Sequence, residues 1–206
     1  MSDLLTLTPT ELDALRETAS IGAGHAATAL SLMTGNRIMI SVPQITIAAL
    51  EDVPQQIAEA EEPIAAVMMQ MMGDLTGRSL LVFPKATALR LAQLMLHRKR
   101  DETAPFGELE QSALKEAGNI LSGAYLNALS EFLGLLLLPS PPSLVVDMST
   151  AVLNTAYAQF GAERDTLFAV ETQFLFDDQA DHLRGLFLLL PDMASLRVIL
   201  RAIRVS

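Results

Sequence analysis

Two stretches of the chain put a carboxylate and a small polar side chain on one helical face. Positions i, i+4 and i+7 of an α-helix share a side. Ser112, Glu116 and Asn119 have that spacing, and so do Asp13, Glu17 and Ser20. An ionised glutamate only accepts hydrogen bonds and pairs with a cation. Asparagine donates and accepts together, so it can hold a water molecule in a fixed orientation. The chemistry on offer is charge pairing and water positioning. Cysteine is absent, which excludes disulfides and thiol catalysis. His25, His97 and His182 lie far apart with no ligand spacing, so no metal site is expected.

The two faces are copies of one pattern. SALKEAGNILSGAYLNALSEFLG, from Ser112, aligns without a gap on DALRETASIGAGHAATALSLMTG, from Asp13, at an offset of 99. Glu17 falls on Glu116, Gly24 on Gly123, Ser31 on Ser130 and Pro43 on Pro142. One Glu–Asn pair on a helix is ordinary solvated surface; recurrence of the glutamate on a matched polar stripe singles this one out. The opposite side carries Ala113, Leu114, Ala117, Leu121, Ala124 and Leu129, so the helix is amphipathic. A glycine inside a helix costs about 1 kcal/mol relative to alanine. Gly123, one turn past Asn119, would leave that face open to a bulky partner, as would Gly24 on the first copy. The methionines at 68–72 read as strand core, Tyr125 as a packed aromatic, and His25 as a capping or surface residue.

The elements that position these faces follow from local signals. Thr8, Pro9 and Glu11 supply an N-cap, a first-turn proline and a capping-box acid, so a helix starts there and runs to about Met33, stopped by Gly35. Residues 37–49 are β-rich, and 51–63 read as an acidic loop. Strands follow at about 64–73 and 77–84 around the turn GDLTG, then a helix ending in the basic run HRKR at 97–100. The second half repeats this order. It has a helix over about 108–133 stopped by Gly134, a short strand and then SPPS. Strands follow at about 166–176 and 183–190, and a last helix begins at Asp192. Residues 147–160 are expected to be helical. The offset grows to 107 where Pro84 meets Pro191, placing an insertion of roughly eight residues near that segment. The expected fold is α+β: one domain over 1–206 made of two repeats, about 8–100 and 107–206. The α/β halves are related by a pseudo-two-fold axis, with an antiparallel sheet and two long motif-bearing helices.

Composition narrows the partners. Twenty-four acidic against 14 basic residues give a net charge of −10, which argues against nucleic acid and anionic membranes. Half the residues are hydrophobic, enough for a sizeable core. The apolar runs are too short to span a bilayer. The N-terminus shows no basic-then-apolar signal, so a cytoplasmic location is expected.

The pattern Asp/Ser-x-x-x-Glu-x-x-Asn, followed 23 positions later by Pro, resembles the signature of the CheC/CheX/FliY phosphatases of chemotaxis, and of CheC-type members in particular. Ser112, Glu116, Asn119 and Pro142 fit throughout; Asp13, Glu17 and Pro43 fit in the first copy, where Ser20 replaces Asn. The resemblance implies hydrolysis of the aspartyl phosphate on the response regulator CheY. Asn119 would orient water, Glu116 (and Glu17) would pair with the regulator's lysine, and Ser112, Asp13, Ser20, Pro43 and Pro142 would support them. It implies no cofactor in this chain and Mg²⁺ in the regulator. It also implies binding of the receptor deamidase CheD through the region that contains Asp147. The alternative is a non-catalytic adaptor that sequesters a regulator or CheD.

Overall fold

The two long helices form where their caps dictate. The structure, a computed structural model, describes residues 8–49, 62–152, 166–178 and 181–205. Helix α1 spans Pro9–Thr34. At its start the Glu11 N–H donates to Thr8 Oγ1 at 3.3 Å, and the Thr8 N–H donates to Glu11 Oε2 at 2.6 Å. Both satisfy amides that the helix cannot pair internally. Gly35 ends it in the left-handed region at φ 66°, a conformation glycine adopts without steric cost. Helix α3 spans Glu108–Leu133 and stops at Gly134, φ 65°. Gly107 has no side chain to cap with, so only the reciprocal bond forms, from Gly107 N–H to Glu110 Oε2 at 3.1 Å. Helix α2 (Lys85–Met95) and helix α4 (Met193–Val205) follow the two hairpins. The Asp192 carboxylate caps α4 by accepting from the Ser195 N–H at 2.8 Å.

The strands are β1 (Ile38–Ile40), β2 (Gln44–Ala49), β3 (Pro63–Gly73), β4 (Gly77–Pro84), β5 (Leu137–Pro139), β6 (Ser143–Met148), β7 (Thr166–Asp178) and β8 (Asp181–Pro191). They form one antiparallel sheet in the order β1-β7-β8-β4-β3-β5, with β2 also on β7 and β6 also on β3. The order is symmetric about the β4–β8 pair, where Leu80 faces Leu188 and Leu81 faces Phe187. The strands that follow each motif helix pair with the other half's hairpin: β1 and β2 join β7, and β5 and β6 join β3.

The sheet is buried on both faces, as its apolar runs require. On one face Ala65, Val67, Leu81, Phe83, Phe187 and Leu189 pack under the inner sides of the helices, including Leu15, Ala26 and Leu30 of α1 and Leu114, Leu121 and Leu126 of α3. On the other, Ile64, Ala66, Leu80, Val82, Leu188 and Leu190 form a second cluster with Val152. Met69 and Met71 are buried in β3, while Met72 is exposed.

One expectation is corrected. Residues 147 and 148 are not helical; they end β6, where Asp147 faces Ile64 and Met148 faces Pro63. SLVVDM meets an open edge of β3, and a ladder partner outweighs the local helical pattern. Helical residues begin only at 149 and continue to 152; 153–165, the rest of the expected helix, lie outside the described residues, as do 50–61 of the acidic loop. β5 and β6 stand at the same offset of 99 from β1 and β2, so the repeat holds through Met148 before the offset changes.

Candidate functional site

The apolar stripes of α1 and α3 face the sheet, which turns the polar stripes outward. Ser112, Glu116 and Asn119 are exposed on α3 and Gly123 is half-buried beside them. Asp13, Glu17, Ser20 and Gly24 are exposed on α1. Each set of three therefore shares one accessible helix face. The prolines sit deeper: Pro43 is buried and Pro142 half-buried, each directly before the strand that follows its helix, β2 or β6. A locked φ at that entry suits the bend between the short strand and the longer one.

The two faces differ in how free their polar groups are. On α1 the Ser20 hydroxyl donates to the Arg16 carbonyl at 2.7 Å. This is the usual back-bond of a mid-helix serine, and it uses the hydroxyl proton. Arg16 also lies 3.7 Å from Asp13. On α3, no hydrogen bond or ion pair among the described residues engages the Glu116 carboxylate or the Asn119 carboxamide. They are free to meet a partner's cation and a water.

Beneath that free pair, α3 is firmly seated. Gly118, between Glu116 and Asn119, lies against β3, where an added Cβ would stand 2.5 Å from Val67 Cγ1. One turn on, the buried hydroxyls of Ser122 and Ser79 hydrogen-bond at 2.8 Å and tie α3 to β4. Tyr125 stacks on Phe187 with ring centroids 4.6 Å apart. Gly22 of α1 brings the two helices together, a Cβ there falling 3.0 Å from Tyr125 Cα. At the start of α3, Arg98 of the basic run donates to Glu110 at 2.5 Å, anchoring the loop that leads into the helix. Reading the sequence alone missed the Ser79–Ser122 bond. Its signal was present, since Ser122 stands opposite Ala23 in the repeat and is polar on an otherwise apolar side.

Asp147 is exposed on strand β6, away from the motif helices in the chain, and its Oδ1 accepts from the Met148 N–H at 2.7 Å. His25 is exposed on α1. Two clefts of about 360 and 470 Å³ flank α2 and the 100–106 loop, and no motif residue lines either. Among the described residues no group of acidic or histidine side chains could hold a metal ion, and no helix is long and apolar enough to cross a membrane. What the arrangement offers is an open helix face with one free carboxylate and one free carboxamide, suited to reaching into a macromolecular partner.

Comparison with known proteins agrees with this arrangement. A family model described as the CheC-like family matches residues 11–47 and 109–146, which hold the two motif copies. The chain is 29% identical over 198 residues to the CheY-P phosphatase CheC of Bacillus subtilis, covering 95% of each protein. Its fold is similar to that of Thermotoga maritima FliY, with a TM-score of 0.76 and 24% identity over 97% of this chain and 98% of that one. It is also similar to a chain of the CheX–CheY–BeF₃–Mg²⁺ complex from Borrelia burgdorferi, with a TM-score of 0.54 and 15% identity over 84% of this chain and 97% of that one. The repeated Glu-bearing helix face and the shared fold agree with this similarity to proteins of the CheC-like family.

Proposed function

We propose that the chain is a phosphatase that hydrolyses the aspartyl phosphate of a CheY-type response regulator, with the α3 face as its working site. The observation that carries this is the exposed, unengaged Glu116–Asn119 pair on a helix held firmly from behind. An acyl phosphate already has a good leaving group, and the regulator supplies Mg²⁺ in its own acidic pocket. The added catalysis is then positioning and electrostatics, which suffices for phosphoryl transfer. The Asn119 carboxamide holds a water in line with the phosphorus. The water oxygen bonds to phosphorus, the bond from phosphorus to the aspartate oxygen breaks, and inorganic phosphate leaves an aspartate behind. Glu116 pairs with the regulator's lysine and fixes the docked orientation; Ser112 and Pro142 shape the surroundings.

The α1 face keeps Glu17, but the Ser20 hydroxyl is already bonded to Arg16. This favours docking without efficient turnover there, which is the adaptor reading confined to one face. CheD binding through the exposed Asp147 region remains part of the proposal. The test is to time loss of phosphate from a phosphorylated CheY-type regulator with wild-type protein and with Asn119→Ala. Acceleration by the first and not by the second is expected. Equal rates with both would remove Asn119 from the mechanism.

A further inference from the structure

Four glycines lie inside the motif helices, and packing within the chain explains only two of them. Gly22 is needed where α1 meets Tyr125, and Gly118 where α3 meets Val67. A Cβ added at Gly24 or at Gly123 would meet nothing within 4 Å, and neither residue has a positive φ. Neither backbone conformation nor close packing inside the chain calls for glycine at these two places. Glycine is nonetheless a poor helix former. Both stand four residues beyond the third motif position, Ser20 or Asn119, at the shared offset of 99. Two helices weakened at matched positions, one exposed and one half-buried, point to a benefit outside the chain.

We propose that Gly123 is a specificity-determining residue for the regulator: its bare backbone is the seat onto which the phosphate-bearing loop of the partner closes around Asn119. This rests on the phosphatase assignment above. A helical side chain leans toward the helix N-terminus and covers the turn before its own Cα. A side chain at 123 would therefore stand over the turn that carries Asn119, about 6 Å along the axis. The Asn119 carboxamide is short. To reach a phosphoryl group recessed in a pocket, it needs the partner's surface to descend to the level of the helix backbone. Glycine allows that approach, and any Cβ holds the partner off. The partner that fits is a folded protein whose phosphorylated residue lies behind a rim, not a free acyl phosphate.

The test measures regulator dephosphorylation against regulator concentration for wild type, Gly123→Ala, Gly123→Leu, Asn119→Ala and Asn127→Ala, with thermal melts of each. Asn127 is exposed one turn further along and serves as the control. Gly123→Ala is expected to melt about 2–4 °C higher, because alanine favours the helix. It should still lose kcat/KM, and Gly123→Leu should lose more, about tenfold or beyond, since small misplacements are costly. Asn127→Ala should match wild type. Should both glycine variants stay within about twofold of wild-type kcat/KM while Asn119→Ala is inactive, the seat is refuted and the phosphatase assignment stands. Full activity in Asn119→Ala would overturn the seat and remove Asn119 from the mechanism, and no acceleration by wild type would overturn the phosphatase assignment.

Discussion

The Ser20 hydroxyl donates to the Arg16 carbonyl at 2.7 Å, while the carboxamide of Asn119, its counterpart on α3, has no hydrogen-bond partner among the described residues. The repeat thus holds one committed polar group and one free one at matching places. A serine too short to reach a partner satisfies itself on its own helix. A carboxamide keeps donor and acceptor available together. Ser20→Asn should therefore give the first face a working group. If the faces act independently and equally, the total rate should rise by roughly twofold at most. Stability should hardly change, because Ser and Asn have similar helix propensity. Single-turnover loss of regulator phosphate measures this, and a rate at or below wild type would show that Ser20 is not what limits the first face.

Asn119→Ala should slow dephosphorylation by about 10²-fold, the usual scale for a group that positions a proton-transfer partner. The site is exposed and alanine suits a helix, so circular dichroism and melting should be unchanged or slightly improved. Activity within about twofold of wild type would exclude it as the water-orienting residue.

Glu116→Ala should weaken both regulator binding and turnover, because a charge pair to the partner's lysine contributes to docking. Glu17→Ala should matter much less. Titration with a beryllofluoride-treated regulator, beside the kinetic assay, separates the two effects. If Glu17→Ala abolishes activity and Glu116→Ala leaves it intact, the ranking of the faces is inverted.

Ser122→Ala should destabilise the fold by about 1–3 kcal/mol, since it leaves the buried Ser79 hydroxyl without its partner. The double variant Ser79→Ala/Ser122→Ala should recover part of that loss, because no unsatisfied hydroxyl remains. Urea unfolding of the single and double variants gives the comparison. A double variant that loses the sum of the two singles would mean the hydroxyl pair is not coupled.

The helices and their motif faces were legible in the sequence because their causes are local. Thr8 with Glu11, and Gly35 and Gly134 at the ends, act within a few residues of the peptide groups they satisfy. Helical hydrogen bonds span four residues, so the apolar stripe and the polar stripe opposite it follow from spacing alone. The hairpins β3–β4 and β7–β8 were likewise readable from apolar runs on either side of a short turn. The outward display of Glu17, Glu116 and Asn119 came with the stripe.

Which strands pair beyond the hairpins was decided only in three dimensions. β1 and β2 lie on β7, more than a hundred residues away, and β5 and β6 lie on β3. A strand's partner is set by which edge is open in the assembled sheet, and no local spacing records that. Residues 147–148 show the consequence: a segment with a helical pattern became the end of β6 because β3 offered its backbone a ladder. The difference between the two motif faces also belongs to the tertiary level. Sequence showed a serine in place of an asparagine; the structure showed that serine turned back onto Arg16 and Gly123 beside open space. Residue types are written in the chain, but whether a polar group is spent or free depends on the neighbours that folding brings to it.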